Sequence, residues 1–179
     1  MSVVKEPPKT ATLKSGKVDL RDFLSGLLGD DRISNEDFES ALNGRLSSKD
    51  RNKHALDYVA QLKLQDRKAA GKTLDLENLT MVLSNQCGQD YYRIDPLKID
   101  VATITNVMSY AFAQRHHILA VEVTPQEVVI ACAEPYIDSW ESDLEHVLKR
   151  KIKRVVSNPA ELKKFTTEFY SLSSSISNA

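Results

Sequence analysis

The sequence predicts an α+β fold: a small N-terminal helical subdomain followed by a two-layer α/β sandwich, ordered helix–strand–strand–helix–strand–helix. Three observations carry this. Apolar residues recur at helical spacing at Leu20, Phe23, Leu24, Leu27 and Leu28, and again over residues 104–115. Two apolar runs, Ile118 to Val123 and Val128 to Ala133, flank the turn residues Thr124-Pro125-Gln126-Glu127, as in a hairpin. Asn158-Pro159-Ala160-Glu161 combines a cap, a proline in the first helical position and an acid two residues on, which marks a helix entry.

The other elements follow in order. Residues 1–18 are polar, with Pro7-Pro8 and no hydrophobic period, and read as a disordered tail. Asp19 is placed to cap the first helix and Gly29 to stop it. A second helix starts at Ser34, whose hydroxyl can cap while Ile33 staples onto Phe38. A third spans about 53–64, completing a helical subdomain at 19–68. Lys63 to Thr73 is polar, contains Gly71 and reads as a linker. Asp75 then opens a helix that Gly88 closes, and Tyr91 to Ile94 is extended before Asp95-Pro96. A helix is marked by Ile137, Trp140, Leu144, Val147 and Leu148, and a short strand by Ile152 to Val156. The sandwich covers residues 74–170, and the Ser-rich 171–179 reads as a linker.

At 179 residues the chain can bury roughly 70% of its surface without disulfides or metals. Cys87 and Cys132 are the only cysteines, too few for a disulfide framework, so a reducing cytoplasm is expected. No apolar run approaches the roughly 18 residues of a membrane span, and Met1 to Lys17 lacks a secretory signal. A net charge of −1 argues against a general nucleic-acid binder. The charge split, +3 over residues 1–72 and −4 over 73–179, is too mild to name a partner.

The residues supply little catalytic chemistry. Gly71-Lys72-Thr73 ends like a phosphate-binding loop, but Asp66 stands where the first glycine is needed and would repel phosphate. His116 and His117 are adjacent and would point to opposite faces of a strand, while His54 and His146 have no ligand-spaced neighbour, so no metal site is expected. Cys132 lies within an apolar strand and Cys87 near a helix end, neither an activating position. Lys149-Arg150-Lys151-Ile152-Lys153-Arg154 reads as a solvated strand edge, with an acidic partner surface as its functional alternative. No catalytic residue, metal or cofactor is assigned, and an interaction role is expected.

Several stretches, taken in order, resemble one family. They are Tyr92-Arg93-Ile94-Asp95-Pro96-Leu97-Lys98-Ile99-Asp100, Ala113-Gln114-Arg115-His116-His117-Ile118-Leu119-Ala120-Val121, Ala133-Glu134-Pro135-Tyr136, Arg154-Val155-Val156-Ser157-Asn158-Pro159-Ala160-Glu161 and Glu168-Phe169-Tyr170. Together they resemble the N-terminal domain of bacterial type II secretion and type IV pilus assembly ATPases. The resemblance implies a non-catalytic docking and regulatory domain. Its partners would be the cytoplasmic domain of an inner-membrane platform protein and its own ATPase core beyond Ala179, where ATP and Mg would bind. It implies a cytoplasmic location, contact with the membrane through proteins alone, and no nucleic acid. The candidate partner-binding residues are Leu20, Phe23, Leu27 and Phe38, with core packing as their competing use.

A subset of that family binds cyclic di-GMP through tandem helical motifs of pattern Arg-Leu-Gly, a Leu-Val pair, Gly-x-Ile, then Leu, Ala-Leu and Gln. Residues 22–45 align with one copy. Leu27, Leu28, Ile33, Phe38, Ala41 and Leu42 hold its hydrophobic positions. The Arg position is Asp22, the two Gly positions are Leu24 and Asp31, and the Gln position is Arg45. The resemblance therefore implies the helical scaffold without the nucleotide site, and a cyclic di-GMP sensor is the alternative function.

Overall fold

Asp19 opens the first helix by accepting the backbone N–H of Asp22, and α1 runs Leu20–Gly29. The computed structural model describes residues 16–46 and 49–177, leaving aside the side chain of Leu46. Ser34 Oγ accepts from Asp37 N and starts α2, Asn35–Leu46. After a 3-10 turn at Lys49–Asn52, α3 is Ala55–Gln61, shorter than the predicted 53–64 because His54 caps it, Nδ1 accepting from Leu56 N. Then α4, Leu76–Cys87, runs from the Asp75 cap to Gly88, which takes the left-handed conformation at φ +71°. Phe23, Leu24, Leu27, Ile33, Leu56, Leu79 and Leu83, all under 2% exposed, form one core among these four helices.

The second core surrounds a three-stranded sheet. Strands β1 (Ile118–Val123) and β2 (Glu127–Cys132) form the predicted antiparallel hairpin, with an irregularity between Ala120 and Glu122. Strand β3 (Lys151–Val156) pairs parallel to β2, Glu127 opposite Lys151 and Cys132 opposite Val156. The sheet order is β1-β2-β3. A parallel pair needs a crossover, and α7, Glu141–Leu148, supplies it. The last helix, α8, starts at Pro159 with Asn158 accepting from the N–H groups of Ala160 and Glu161.

Four expectations are revised. The helical run 104–115 is two helices, α5 (Val101–Thr105) and α6 (Tyr110–His116), because Ser109 Oγ accepts Phe112 N and starts a new one. The linker at 63–73 is an ordered loop. Gln65 bridges to Thr73, Leu74 N donates to Leu64 O, and Asp66, 9% exposed, pairs with Arg32 at 3.2 Å. Helix α8 continues to Ser177 through the Ser-rich stretch read as a linker. There Leu172 and Ile176 extend the apolar stripe, Thr105 reaches Ser173, and Ser175 and Ser177 hydroxyls bond back four residues. Of the predicted disordered tail, residues 1–15 lie outside the described residues, but Val18 is packed at 7% exposure.

Candidate functional site

The two cores meet at a buried carboxylate. Ala133-Glu134-Pro135 follows β2 and is buried throughout. Glu134 Oε2 accepts the backbone N–H of Val18 at 2.7 Å, and Oε1 lies 3.4 Å from His54 Nε2. That nitrogen is also 2.6 Å from Ala133 O, so it carries the proton, because a carbonyl oxygen can only accept. His54 thus caps α3 through Nδ1 and holds the sheet domain through Nε2–H. Gly16 N donates to Tyr136 O, completing a short strap of residues 16–18 along the junction.

Beside this latch lies a crevice of about 380 Å³. One wall comes from the strap and the α2–α3 connection and carries Lys17, Arg45, Arg51 and Lys53. The rest of the lining comes from α6, Ala133 and the first turns of α8, where Lys163 and Thr167 are exposed while Ala113, Pro159 and Leu162 are buried beneath. Arg45 is fixed: Nη2 donates to the carbonyl of Lys53 at 2.8 Å, and its guanidinium lies 5.6 Å from the Tyr58 ring centroid. Tyr58 can sit there because position 44 is glycine; a Cβ at Gly44 would come within 2.9 Å of its hydroxyl, which donates to Ala41 O. Burial raises the Tyr58 phenol, and the nearby Arg45 partly offsets this. Sequence reasoning missed the crevice, since its lining comes from segments far apart in the chain.

The four candidate partner-binding residues do not make an outer surface. Leu20, Phe23, Leu27 and Phe38 are 8%, 1%, 0% and 9% exposed and pack in the first core. Positions on one apolar helical stripe serve the larger burial available, and here α2 and α4 pack against the α1 stripe. The motif positions fare differently from one another. Leu24, at the first glycine position, is fully buried. Asp31, at the second, keeps the left-handed conformation that favours glycine, φ 57°. Asp22 lies on the exposed side of α1, and Arg45 lines the crevice.

The remaining groups are structural. The loop before Lys72 uses several of its N–H groups internally: Asp66 N donates to Lys72 O, Ala69 N to Asp66 O and Lys72 N to Ala69 O, so these three are not turned to a phosphate. In the basic run Arg154 turns inward, bonding Pro135 O at 2.9 Å and Glu141 at 3.0 Å, and Lys153 lies 3.5 Å from Asp90. The His116 ring lies 4.4 Å from that of Phe112, tilted by 53°; burial, then Arg115 and His117, lowers its pKa. Among the described residues no group of three or more His, Cys, Asp or Glu is gathered to hold a metal, and no helix is long and apolar enough to cross a membrane.

Burial pushes Cys132 up from its ordinary 9.0 to about 12, and Tyr170, whose hydroxyl donates to Met108 O, up from 10.0 to about 12. In the unfolded chain both ionise at their ordinary values, whereas the folded chain keeps its protons. Stability from these two groups is therefore intact below pH 9 and falls as pH rises towards 12. Urea midpoints at pH 8, 9.5 and 10.5 should decline in that order, and Cys132 should resist alkylation at pH 8 until urea unfolds the chain.

Comparison with known proteins places this architecture. The chain is 34% identical over 161 residues to the type IV pilus assembly ATPase TfpB of Acinetobacter baylyi, a match covering 89% of this chain and 28% of that protein. It therefore spans little more than a quarter of the length of that curated relative. The solved structure of MshE with cdg superposes with a TM-score of 0.55 at 16% identity, covering 86% of this chain and all of that one. The N-terminal domain of XpsE aligns at 14% identity with a TM-score of 0.43, covering 85% of this chain and 96% of that one. The MshEN domain matches residues 87–176, which run from the end of α4 through the whole sheet to the last turn of α8. The chain belongs to the MshEN domain family.

Proposed function

We propose that this chain is the docking and regulatory N-terminal domain of a bacterial ATPase that drives type IV pilus assembly or type II secretion. The observation that carries the reading is the 34% identity to TfpB across 89% of this chain. ATP hydrolysis, with its Mg, then belongs to sequence outside the matched region. The partners are the ATPase core and the cytoplasmic domain of an inner-membrane platform protein, and the location is cytoplasmic, at the membrane through protein contacts. With the apolar stripes of α1 and α2 used internally, docking falls to the outer polar face of the helical subdomain, where Glu36 and Glu39 are exposed. Titrating the chain with the platform protein's cytoplasmic domain should give saturable binding, weakened by Glu36→Lys with Glu39→Lys. Absence of binding would refute the docking role; undiminished binding by the double variant would refute this surface.

The fold shared with MshE with cdg favours a second reading, a cyclic di-GMP sensor. Asp31 keeps the backbone turn, but Leu24 fills a glycine position and Asp22 adds negative charge. Calorimetry with cyclic di-GMP decides it; no heat at high ligand concentration ends this reading.

A further inference from the structure

The turn from α7 into β3 carries three consecutive cations, Lys149, Arg150 and Lys151, on a fixed frame. Lys149 N closes α7 on the carbonyl of Glu145 at 2.8 Å, and Ile152 N donates to the Glu145 carboxylate at 3.2 Å. Lys151 N donates to Gln126 O at 3.1 Å, which ties the turn to the β1–β2 hairpin loop. Further along β3 the cations are used within the fold, Lys153 with Asp90 and Arg154 with Glu141. Lys149, Arg150 and Lys151 make no ion pair with another described residue, although α7 holds Glu141, Asp143 and Glu145 just before them. Two further observations single out this turn. Lys149 takes the left-handed conformation, φ 53°, where a helix commonly ends in glycine, so a charged side chain is kept there at a conformational cost. Val147, two residues earlier, is 75% exposed beside the exposed His146. An apolar side chain next to unpaired charge is the make-up of a protein interface, an apolar centre with a polar rim.

We propose that the α7–β3 turn is a docking surface for an acidic segment of a partner protein, with Val147 as its apolar contact and Lys149, Arg150 and Lys151 as its charge complement. It lies on the sheet domain, separate from the Glu36 and Glu39 face of the helical core, and stands whichever partner that face takes. Because the turn is already held by Glu145 and Gln126, little conformational freedom is lost on binding. Asp143 is exposed one turn before Val147, and Glu127 lies opposite Lys151 in the sheet register. A flat anionic surface would be pressed against those carboxylates too. A protein segment sets its acids against the three cations alone, so the mixed charge favours a protein.

The test is fluorescence anisotropy on the 179-residue chain with the labelled peptide Glu-Asp-Leu-Asp-Glu, and sedimentation with phosphatidylglycerol vesicles. Saturable peptide binding is expected, weakening as salt rises. Lys149→Glu with Lys151→Glu should weaken it by about tenfold or more, and Val147→Ser by about fivefold. Lys17→Glu, on the strap, should leave it unchanged. Lys149→Gly should weaken binding while keeping or raising the urea midpoint, since glycine suits the left-handed position. That variant separates a charge used for docking from one used to hold the end of α7. No saturable binding at millimolar peptide overturns the proposal. So does undiminished binding by the double variant, by Lys149→Gly or by Val147→Ser. Vesicle binding that the double variant loses, without peptide binding, overturns it in favour of a membrane contact.

Discussion

Glu134→Ala should destabilise the fold by about 2 kcal/mol, because it leaves the buried Val18 N–H without its acceptor and removes the carboxylate that packs against His54. The Glu134 side chain is 6% exposed, and it serves Val18 N across 116 residues of sequence and His54 across 80. Both partners belong to the helical half, so the loss falls on the junction rather than on either core. Glu134→Gln keeps a carbonyl oxygen that can accept from Val18 N, but it turns an amide NH2 towards His54 Nε2–H, whose proton already goes to Ala133 O. It should cost about half as much. Urea titration at constant m separates these cases. A loss below about 1 kcal/mol for the alanine variant would show that the strap and His54 do not depend on this carboxylate.

Phe23→Ala should cost about 3–5 kcal/mol, the usual range for emptying a phenylalanine site in a packed core. Phe23 is 1% exposed, between α1 and the helices that cover it. Leu172→Ala, at 49% exposure near the end of α8, should change stability by less than about 0.5 kcal/mol. The pair separates the two uses considered for apolar residues in this chain. If Phe23→Ala left the melting behaviour intact and impaired partner binding instead, the assignment of Phe23 to the core would be wrong.

Local chemistry made much of the fold legible. Asp19, Ser34, Asp75 and Asn158 act as the caps their positions suggested, each accepting a backbone N–H two or three residues on. The hairpin and its turn also follow from sequence, since period, β-branching and turn residues agree there. Two of the misreadings share one cause. Gly16 to Val18 and the 63–73 loop are polar by composition, yet each is ordered by a partner far along the chain, Glu134 for the first and Arg32 for the second. The break between α5 and α6 was hidden because Ile104, Met108 and Ala113 all face the same core, so the apolar spacing ran on across the gap that Ser109 caps. The crevice was illegible for the same reason as the strap. Lys17, Arg45 and Lys163 are unremarkable surface residues until the two cores bring them to one opening.

Whether this chain is the leading domain of a motor ATPase is decided by the reading frame beyond the codon for Ala179. A motor ATPase requires a frame that continues and encodes Gly-x-x-x-x-Gly-Lys-Ser/Thr within a few hundred residues, the phosphate-binding loop that the 66–73 segment does not form. A stop codon directly after Ala179 would contradict it and would make this a free-standing adaptor on an MshEN fold.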